Sequence, residues 1–155
     1  MNVSLVQIVK ELETIATNHG QINSFDFGDV WEMSTEVKKR DYPLMFVEHP
    51  NGTTTSGGSG RGKVVGVNLN IYLMDLVDKN EGNELEVLSD QLRIAFDVRA
   101  LLNSLDSTVE LEQLYTSSMS WTTFTESKLD ELTGVVMNIT LNTVDLFDQC
   151  QAPQR

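Results

Sequence analysis

The sequence predicts an α+β fold in which an antiparallel β-sheet carries two main helices packed on one face. Two segments repeat apolar residues at helical spacing, and two long segments alternate apolar residues with Asn and Thr. The predicted order is helix, strand, strand, long strand, helix, strand, strand, which favours helices segregated to one face of an antiparallel sheet. A length of 155 residues favours one domain. We expect that domain to span residues 1–150, with residues 151–155 as an extended tail.

Residues 3 to 18 are predicted to form the first helix. Apolar residues recur there at the spacing that places them on one helical face, namely Leu5, Ile8, Leu12 and Ile15. Ser4 followed three residues later by Gln7 fits a capping box, in which each residue satisfies a backbone N–H group of the other. Asn2 is the other candidate N-cap, so the start of this helix is specified locally by one of these two residues.

Two shorter segments after this helix suit strands. Residues 22 to 32, INSFDFGDVWE, alternate loosely, with Phe25 and Phe27 on one side. A charged turn, STEVKKRD, precedes the stretch YPLMFVEHP, which reads as a second strand. Because proline cannot donate a hydrogen bond to a sheet, Pro43 and Pro50 suit the two ends of this strand.

A segment rich in Gly, Ser and Thr separates this strand from the next one. Residues 51 to 62 read NGTTTSGGSGRG, a composition typical of a linker. We expect residues 51–63 to form a flexible loop between two strands. Loops of this length in compact domains are usually functional or disordered, so this one is either disordered or a segment that becomes ordered on assembly with a partner. Its candidate contact residues are Asn51, Thr54, Gly57, Gly60, Arg61 and Lys63.

The two most regular strands have polar faces. Residues 64 to 76 and the stretch VVMNITLNTVDLF alternate apolar side chains with Asn, Thr and Tyr. A polar strand face meets either solvent or another subunit. The candidate subunit contacts on these faces are Asn68, Asn70, Tyr72, Asn138, Thr140 and Asn142.

Between these two strands the sequence predicts a helix and a further strand. Asn83 can cap a helix over residues 84 to 104, and Glu84 and Glu86 suit its positive N-terminal end. Residues 112 to 127 are rich in Thr, Ser and aromatic residues, which favours a strand. The stretch KLDELTG then resembles a connecting turn.

The stretch GGSGRGK partly matches the GxxxxGK[ST] loop that binds nucleotide phosphates. Such a loop joins a strand to the N-terminus of a helix, where backbone N–H groups and the helix dipole meet the anion. Here the glycines are predicted to join two strands, and Val64 stands where a magnesium-binding hydroxyl belongs. We therefore interpret the segment as a connecting loop. A small nucleotide-handling enzyme that uses Lys63 remains the alternative.

No other pattern indicates catalysis, a metal or a cofactor. His19 and His49 lie far apart, and no spacing typical of zinc ligands occurs. The stretch DLVDKNEGNELE lacks the ligand positions of a calcium-binding loop. A single cysteine, Cys150, cannot form an internal disulfide, which suits a reducing compartment. We expect a protein that is not an enzyme and needs no cofactor.

The charge argues against a protein that binds nucleic acid tightly. The net charge is −12, whereas phosphate contacts need clustered Lys and Arg. An acidic surface either keeps the protein soluble or is one along which DNA slides without sticking, and the charge alone does not distinguish these roles. The N-terminal stretch MNVSLVQIVKELETIA lacks the features of a signal peptide, and no stretch is long and apolar enough for a membrane span.

The order of the predicted elements and the amino-acid sequences of several segments resemble a known family. The stretches DYPLMFVEHP, the glycine loop, VVGVNLNIYLMDL and NELEVLSDQLRIAFDVRALLN are similar to small tail-terminator or head–tail joining proteins of tailed bacteriophages. The later stretch WTTFTESKLDELTGVVMNITLNTVDLFDQC continues the likeness, which covers residues 25 to 150. The likeness does not distinguish a tail terminator from a neighbouring connector or tail-tube component.

The resemblance implies a non-enzymatic virion protein, assembled in the cytoplasm of the host bacterium. It implies a closed homo-oligomeric ring, of six copies, that contacts tail-tube and connector or neck proteins. DNA would pass through its bore without specific binding. A monomeric adaptor that binds a peptide at an exposed sheet edge is a further alternative.

Overall fold

The computed structural model describes residues 4–29, 40–55, 63–78, 82–104, 115–126 and 132–145. Within these ranges the chain forms two helices and six strands, which confirms the predicted α+β fold class. In chain order they are α1 (Leu5–Asn18), β1 (Ser24–Gly28), β2 (Leu44–Glu48), β3 (Asn51–Thr55), β4 (Lys63–Leu76), α2 (Glu84–Ser104), β5 (Tyr115–Glu126) and β6 (Leu132–Asp145).

The helix α2 begins at Glu84, as predicted, and α1 begins at Leu5, two residues after the predicted start. At the start of α1, the Ser4 N–H donates to the Gln7 side chain at 2.7 Å and the Gln7 N–H donates to Ser4 Oγ at 3.2 Å. This is the predicted capping box. Asn83 precedes α2 and its carbonyl accepts the first helical hydrogen bond, from Val87 at 3.0 Å. The capping box therefore sets the start of α1, whereas Asn83 Oδ1 accepts no hydrogen bond within the described residues and the predicted side-chain cap of α2 is not formed.

The strands form a mixed sheet in the order β1-β2-β4-β6-β5, with β3 also paired to β4. All pairs are antiparallel except β1 and β2, which are parallel. The prediction of a purely antiparallel sheet is wrong for this pair. Antiparallel neighbours can be joined by a tight turn, whereas residues 29 to 43 separate these two strands and provide the longer connection that a parallel pair needs. The predicted turn STEVKKRD lies mostly outside the described residues.

The predicted loop over residues 51–63 needs correction. Asn51–Thr55 forms strand β3, antiparallel to the first half of β4, and Lys63 already belongs to β4. The three consecutive threonines have high β-propensity, and β4 offers them a partner strand, so strand pairing prevails over the linker-like composition. The rest of the predicted loop, including Gly57, Gly60 and Arg61, lies outside the described residues.

The main core lies between the helices and one face of the sheet. Apolar residues of α1 and α2 pack in one cluster with the odd-numbered residues of β4 and β6, which confirms that both helices cover the same face. The fully buried members include Leu12, Leu69, Ile71, Leu73, Ala95, Val98, Val135, Met137 and Ile139. We call the opposite side of the sheet, where the even-numbered residues of β4 and β6 point, the open face.

Strand β6 begins earlier than the sequence predicts. Leu132, Thr133 and Gly134, which the turn prediction assigned to KLDELTG, are paired with both β4 and β5. The sequence-based turn was wrong here because the glycine marks a close approach between strands rather than a bend. A Cβ atom on Gly134 would lie 2.8 Å from the Cα atom of Met74 and against the Leu73 carbonyl oxygen.

Candidate functional site

The open face carries a hydrogen-bonded set of polar side chains, which we call the polar ladder. Strand alternation places all six predicted contact residues on this face, because their neighbours in β4 and β6 fill the main core. Five of them, together with Asn51 and Glu48, are joined by side-chain hydrogen bonds. The ladder members are Glu48, Asn51, Asn68, Asn70, Tyr72, Asn138 and Thr140.

The first row of the polar ladder crosses β3, β4 and β6. Asn68 lies opposite both Asn51 and Thr140 in the strand register. Its Nδ2 donates to Asn51 Oδ1 at 2.9 Å, and its Oδ1 accepts from Thr140 Oγ1 at 2.8 Å. Asn68 thus uses its donor and its acceptor on opposite sides, which fixes the orientation of the amide.

The second row crosses β2, β4 and β6. Asn70 lies opposite Asn138, whose Nδ2 donates to Asn70 Oδ1 at 2.6 Å. The Nδ2 atom of Asn70 donates to Glu48 Oε2 at 2.9 Å, and the Tyr72 hydroxyl donates to the same oxygen at 3.2 Å. Burial raises the pKa of Tyr72, and the nearby Glu48 carboxylate raises it further. The tyrosine therefore stays a neutral donor at physiological pH.

The remaining predicted contact residues are placed as follows. Asn142 lies opposite Gly66, one step beyond the first row on the open face. Thr54 belongs to β3 and pairs with Val65, while Lys63 begins β4 opposite Asp145. Asn51, predicted as a loop residue, is a member of the polar ladder instead.

Glu48 is the ladder residue that sequence reasoning did not identify. The signal was present, because Glu48 is two residues after Phe46 and alternation puts both on the open face. The apolar residues of YPLMFVEHP obscured this signal, because they are typical of a buried strand. The carboxylate becomes significant only once β2 is paired with β4, which brings Asn70 and Tyr72 to it.

An apolar patch covers the other end of the open face. Leu44, Phe46, Met74 and Leu132 form a second buried cluster, with Tyr42, Tyr72 and Phe124 packed around it. The Tyr72 ring meets the Phe46 and Phe124 rings edge-on, with centroids 6.2 and 5.9 Å apart. Tyr72 therefore joins the polar ladder to this second cluster, and the open face is not uniformly polar.

The side chains of the polar ladder bind one another. Each ladder amide and carboxylate is engaged by a neighbouring side chain, and such a network stiffens a surface rather than activating a nucleophile. Over the part of the chain that the structure describes, no group of three or more His, Cys, Asp or Glu side chains could hold a metal ion. His19 approaches Asp97 at 3.3 Å, and the His49 ring packs near Phe27. Neither histidine belongs to the polar ladder.

A carboxylate near the end of β4 gives a testable pH effect. Burial raises the pKa of Asp75, the Leu76 N–H that donates to it at 2.8 Å opposes the rise, and the charge of Asp90 adds to it. A raised pKa means that the folded state binds the proton more tightly than the unfolded chain. The charged form of Asp75 therefore lowers stability at neutral pH, and this loss disappears as the pH falls through the raised pKa towards 3.8.

We expect Asp75→Asn to raise the Tm at pH 7, because it removes the charge while keeping an oxygen that accepts the Leu76 N–H. The gain over wild type should shrink as the pH is lowered towards 3.8, the ordinary pKa of the carboxyl. Calorimetry over a pH series measures it. Glu13→Gln, which removes the same charge from an exposed helical position, serves as the control and should change the Tm little. A Tm for Asp75→Asn below that of wild type at pH 7 would contradict this assignment.

Comparison of the chain with known protein families and with curated proteins finds no match. Among the described residues, no helix has the length and apolar character needed to cross a membrane.

Proposed function

We propose that this chain is a non-enzymatic structural protein of a tailed-phage virion that assembles into a closed ring of six copies. The ring lies at the head–tail junction or at the head-proximal end of the tail tube. The observation that carries the proposal is the open face. A broad sheet surface, left uncovered by both helices, bears amide and hydroxyl side chains that are bonded to one another. Such a surface suits contact with another protein surface or with passing DNA.

The charge of the chain supports a role around DNA without binding to it. Six copies, each with a net charge of −12, carry −72 together. An acidic bore repels the phosphate backbone and lets the duplex slip through. Specific or tight binding would need clusters of Lys and Arg, and the whole chain has 11 of these against 23 Asp and Glu.

The glycine segment supports an assembly role better than nucleotide chemistry. It leads from β3 into β4, and Lys63 is the first residue of a strand. A phosphate loop needs a helix N-terminus directly after its lysine, where the N–H groups and the dipole face the anion. The enzyme alternative makes a sharp prediction, namely that Lys63→Ala abolishes nucleotide binding. Under our proposal neither wild type nor this variant binds ATP in calorimetric titration.

Mass measurement and imaging of the purified chain test the ring. We expect light-scattering mass to rise with concentration towards six copies, and negative-stain images to show annuli of uniform diameter. Addition of tail tubes that lack their terminal ring should place annuli at the tube ends. A strict monomer at every concentration, with no annuli on tubes, overturns the ring and favours the peptide-binding adaptor.

A further inference from the structure

Two edges of the sheet carry almost no charge, and they are the surfaces from which we argue. Among the described strands, β5 is terminal in the sheet, and its 12 residues carry one charge, Glu126, and no proline. Strand β3 pairs, among the described strands, with β4 alone, and its sequence NGTTT is also uncharged. Proteins normally protect such edges with charges, prolines or bulges. In a chain with 22% charged residues, two edges that carry little charge and that no described strand covers indicate partners.

The other terminal strand is protected. Strand β1 has five residues and carries Asp26, whose carboxylate forms an ion pair with Arg40 at 2.7 Å. A charge paired at the edge disfavours addition of another strand. The contrast with β3 and β5 shows that this sheet uses edge protection selectively. Strand β5 has a bulge, but it lies near one end, between Thr116 and Ser118.

From the strand directions, we propose that β5 of one copy pairs antiparallel with β3 of a second copy. The row β3-β4-β6-β5 is antiparallel at each step, so β3 and β5 run in opposite directions. Placing β3 of a second copy beside β5 continues the same alternation and keeps the helices of both copies on one side of the joined sheet. The contact is head-to-tail, and contacts of this kind generate rings when the rotation closes.

The polar ladder continues across the same seam. Its first row passes from Asn51 through Asn68 and Thr140, and the strand register places Ser118 of β5 next in line. The row therefore ends with an amide at one edge and a hydroxyl at the other. When the two edges meet, Ser118 of one copy comes near Asn51 of the next, and the row runs on between copies. The half-exposed Trp121 lies farther along the same edge strand and provides apolar area beside the seam.

This inference rests on the proposed homo-oligomer and identifies the surfaces that hold it together. Strand β3 has five residues, so each seam contains few backbone hydrogen bonds. A single seam is consequently weak, and association depends on concentration. Closure of a ring adds one further seam, so that every copy is held at both edges, without requiring a different surface.

Three variants that each add two negative charges test the seam by sedimentation, over concentrations from about 1 μM to about 1 mM. One blocks β5, one blocks β3, and the third adds the same charge at exposed helical positions as a control. In that order they are Ser120→Glu with Thr122→Glu, Thr53→Glu with Thr55→Glu, and Thr14→Glu with Ser89→Glu. We expect the control to associate like wild type and each edge variant to lose at least about tenfold in association constant, since charges on an edge strand oppose strand addition and would lose hydration at the seam.

Mixing the two edge variants gives the decisive result. The β5 variant retains an intact β3 edge, and the β3 variant retains an intact β5 edge. A 1:1 mixture should therefore form a dimer and nothing larger. That dimer also shows that both variants are folded. If the β3 variant alone still dimerises while the mixture gains nothing, the contact is a symmetric β5–β5 pair and the proposal is wrong. Association of both edge variants at wild-type strength, or a wild type that stays monomeric, also overturns it.

The outcomes distinguish failure of the proposed β3–β5 seam from failure of the proposed ring. Annuli that persist in both edge variants would leave the ring in place and exclude the seam. Edge-dependent growth into open filaments would support the seam and exclude the closed ring.

Discussion

Replacement of Gly134 by alanine is expected to remove most of the stability of the fold. Gly134 lies between β4 and β5, opposite Met74 on one side and Phe124 on the other. An added Cβ atom would meet the Leu73 carbonyl oxygen and the Met74 Cα atom, both of them backbone atoms that no rotamer change can move. The β4–β6 ladder must then separate at this point.

The expected loss is at least about 4 kcal/mol, which belongs to the exceptional end of single substitutions. A domain of ordinary stability has about 5–15 kcal/mol in total, so the variant should be largely unfolded in moderate urea. Urea denaturation followed by circular dichroism measures the change. Gly82→Ala is the matched control, because a Cβ atom there meets nothing within 4 Å and its effect should stay within about 0.5 kcal/mol. Equal midpoints for the two variants would show that the strands do not approach this closely.

Helix α1 and the two long strands could be predicted because their signals are local. Ser4 and Gln7 specify a helix start by themselves, and strict alternation identifies β4 and β6. The parallel orientation of β1 and β2 could not be predicted in this way. Strand direction is set by where a distant partner lies, and nothing in either five-residue segment encodes it.

Strand β3 shows how composition misleads. Gly, Ser and Thr together are typical of a linker, yet Thr53, Thr54 and Thr55 are also good strand formers. The length of β4 decides that this segment forms a strand. Without β3, the first half of β4 would lack a partner strand on one side. The sequence shows that β4 is long, and a long strand implies a partner along its whole length. Applied to the sequence, this reasoning predicts a shorter loop.

The candidate site was predicted in part. Alternation correctly placed the six polar residues of β4 and β6 on one face. Which of them bond to each other depends on register, since a shift by one residue would move Asn68 away from Thr140. The participation of Asn51 and Glu48 depends on β3 and β2 packing beside β4, which no single segment specifies.

Replacement of Phe46 by alanine is expected to lower the free energy of unfolding by about 3–5 kcal/mol. Phe46 is 0% exposed although it points away from both helices. The Arg40 guanidinium lies 5.4 Å from its ring centroid, and Tyr72 packs edge-on against it. Truncation removes the largest member of the second cluster and leaves a cavity beneath these neighbours. Urea denaturation at a protein concentration where wild type is monomeric measures the loss of stability within one copy.

Phe96→Ala is the matched control, since the same truncation occurs at a phenylalanine that is 46% exposed. It should cost less than half as much, because much of that ring already contacts water. Equal losses for the two variants would mean that the open face is solvated at Phe46 and that the second cluster adds no stability. A large loss at Phe46 alone would show that the uncovered side of the sheet has its own core. The polar ladder, which Tyr72 joins to that core, would then be held rigid without a helix above it. A rigid, preformed face is what repeated contact between identical copies requires, because ordering it on assembly would reduce affinity.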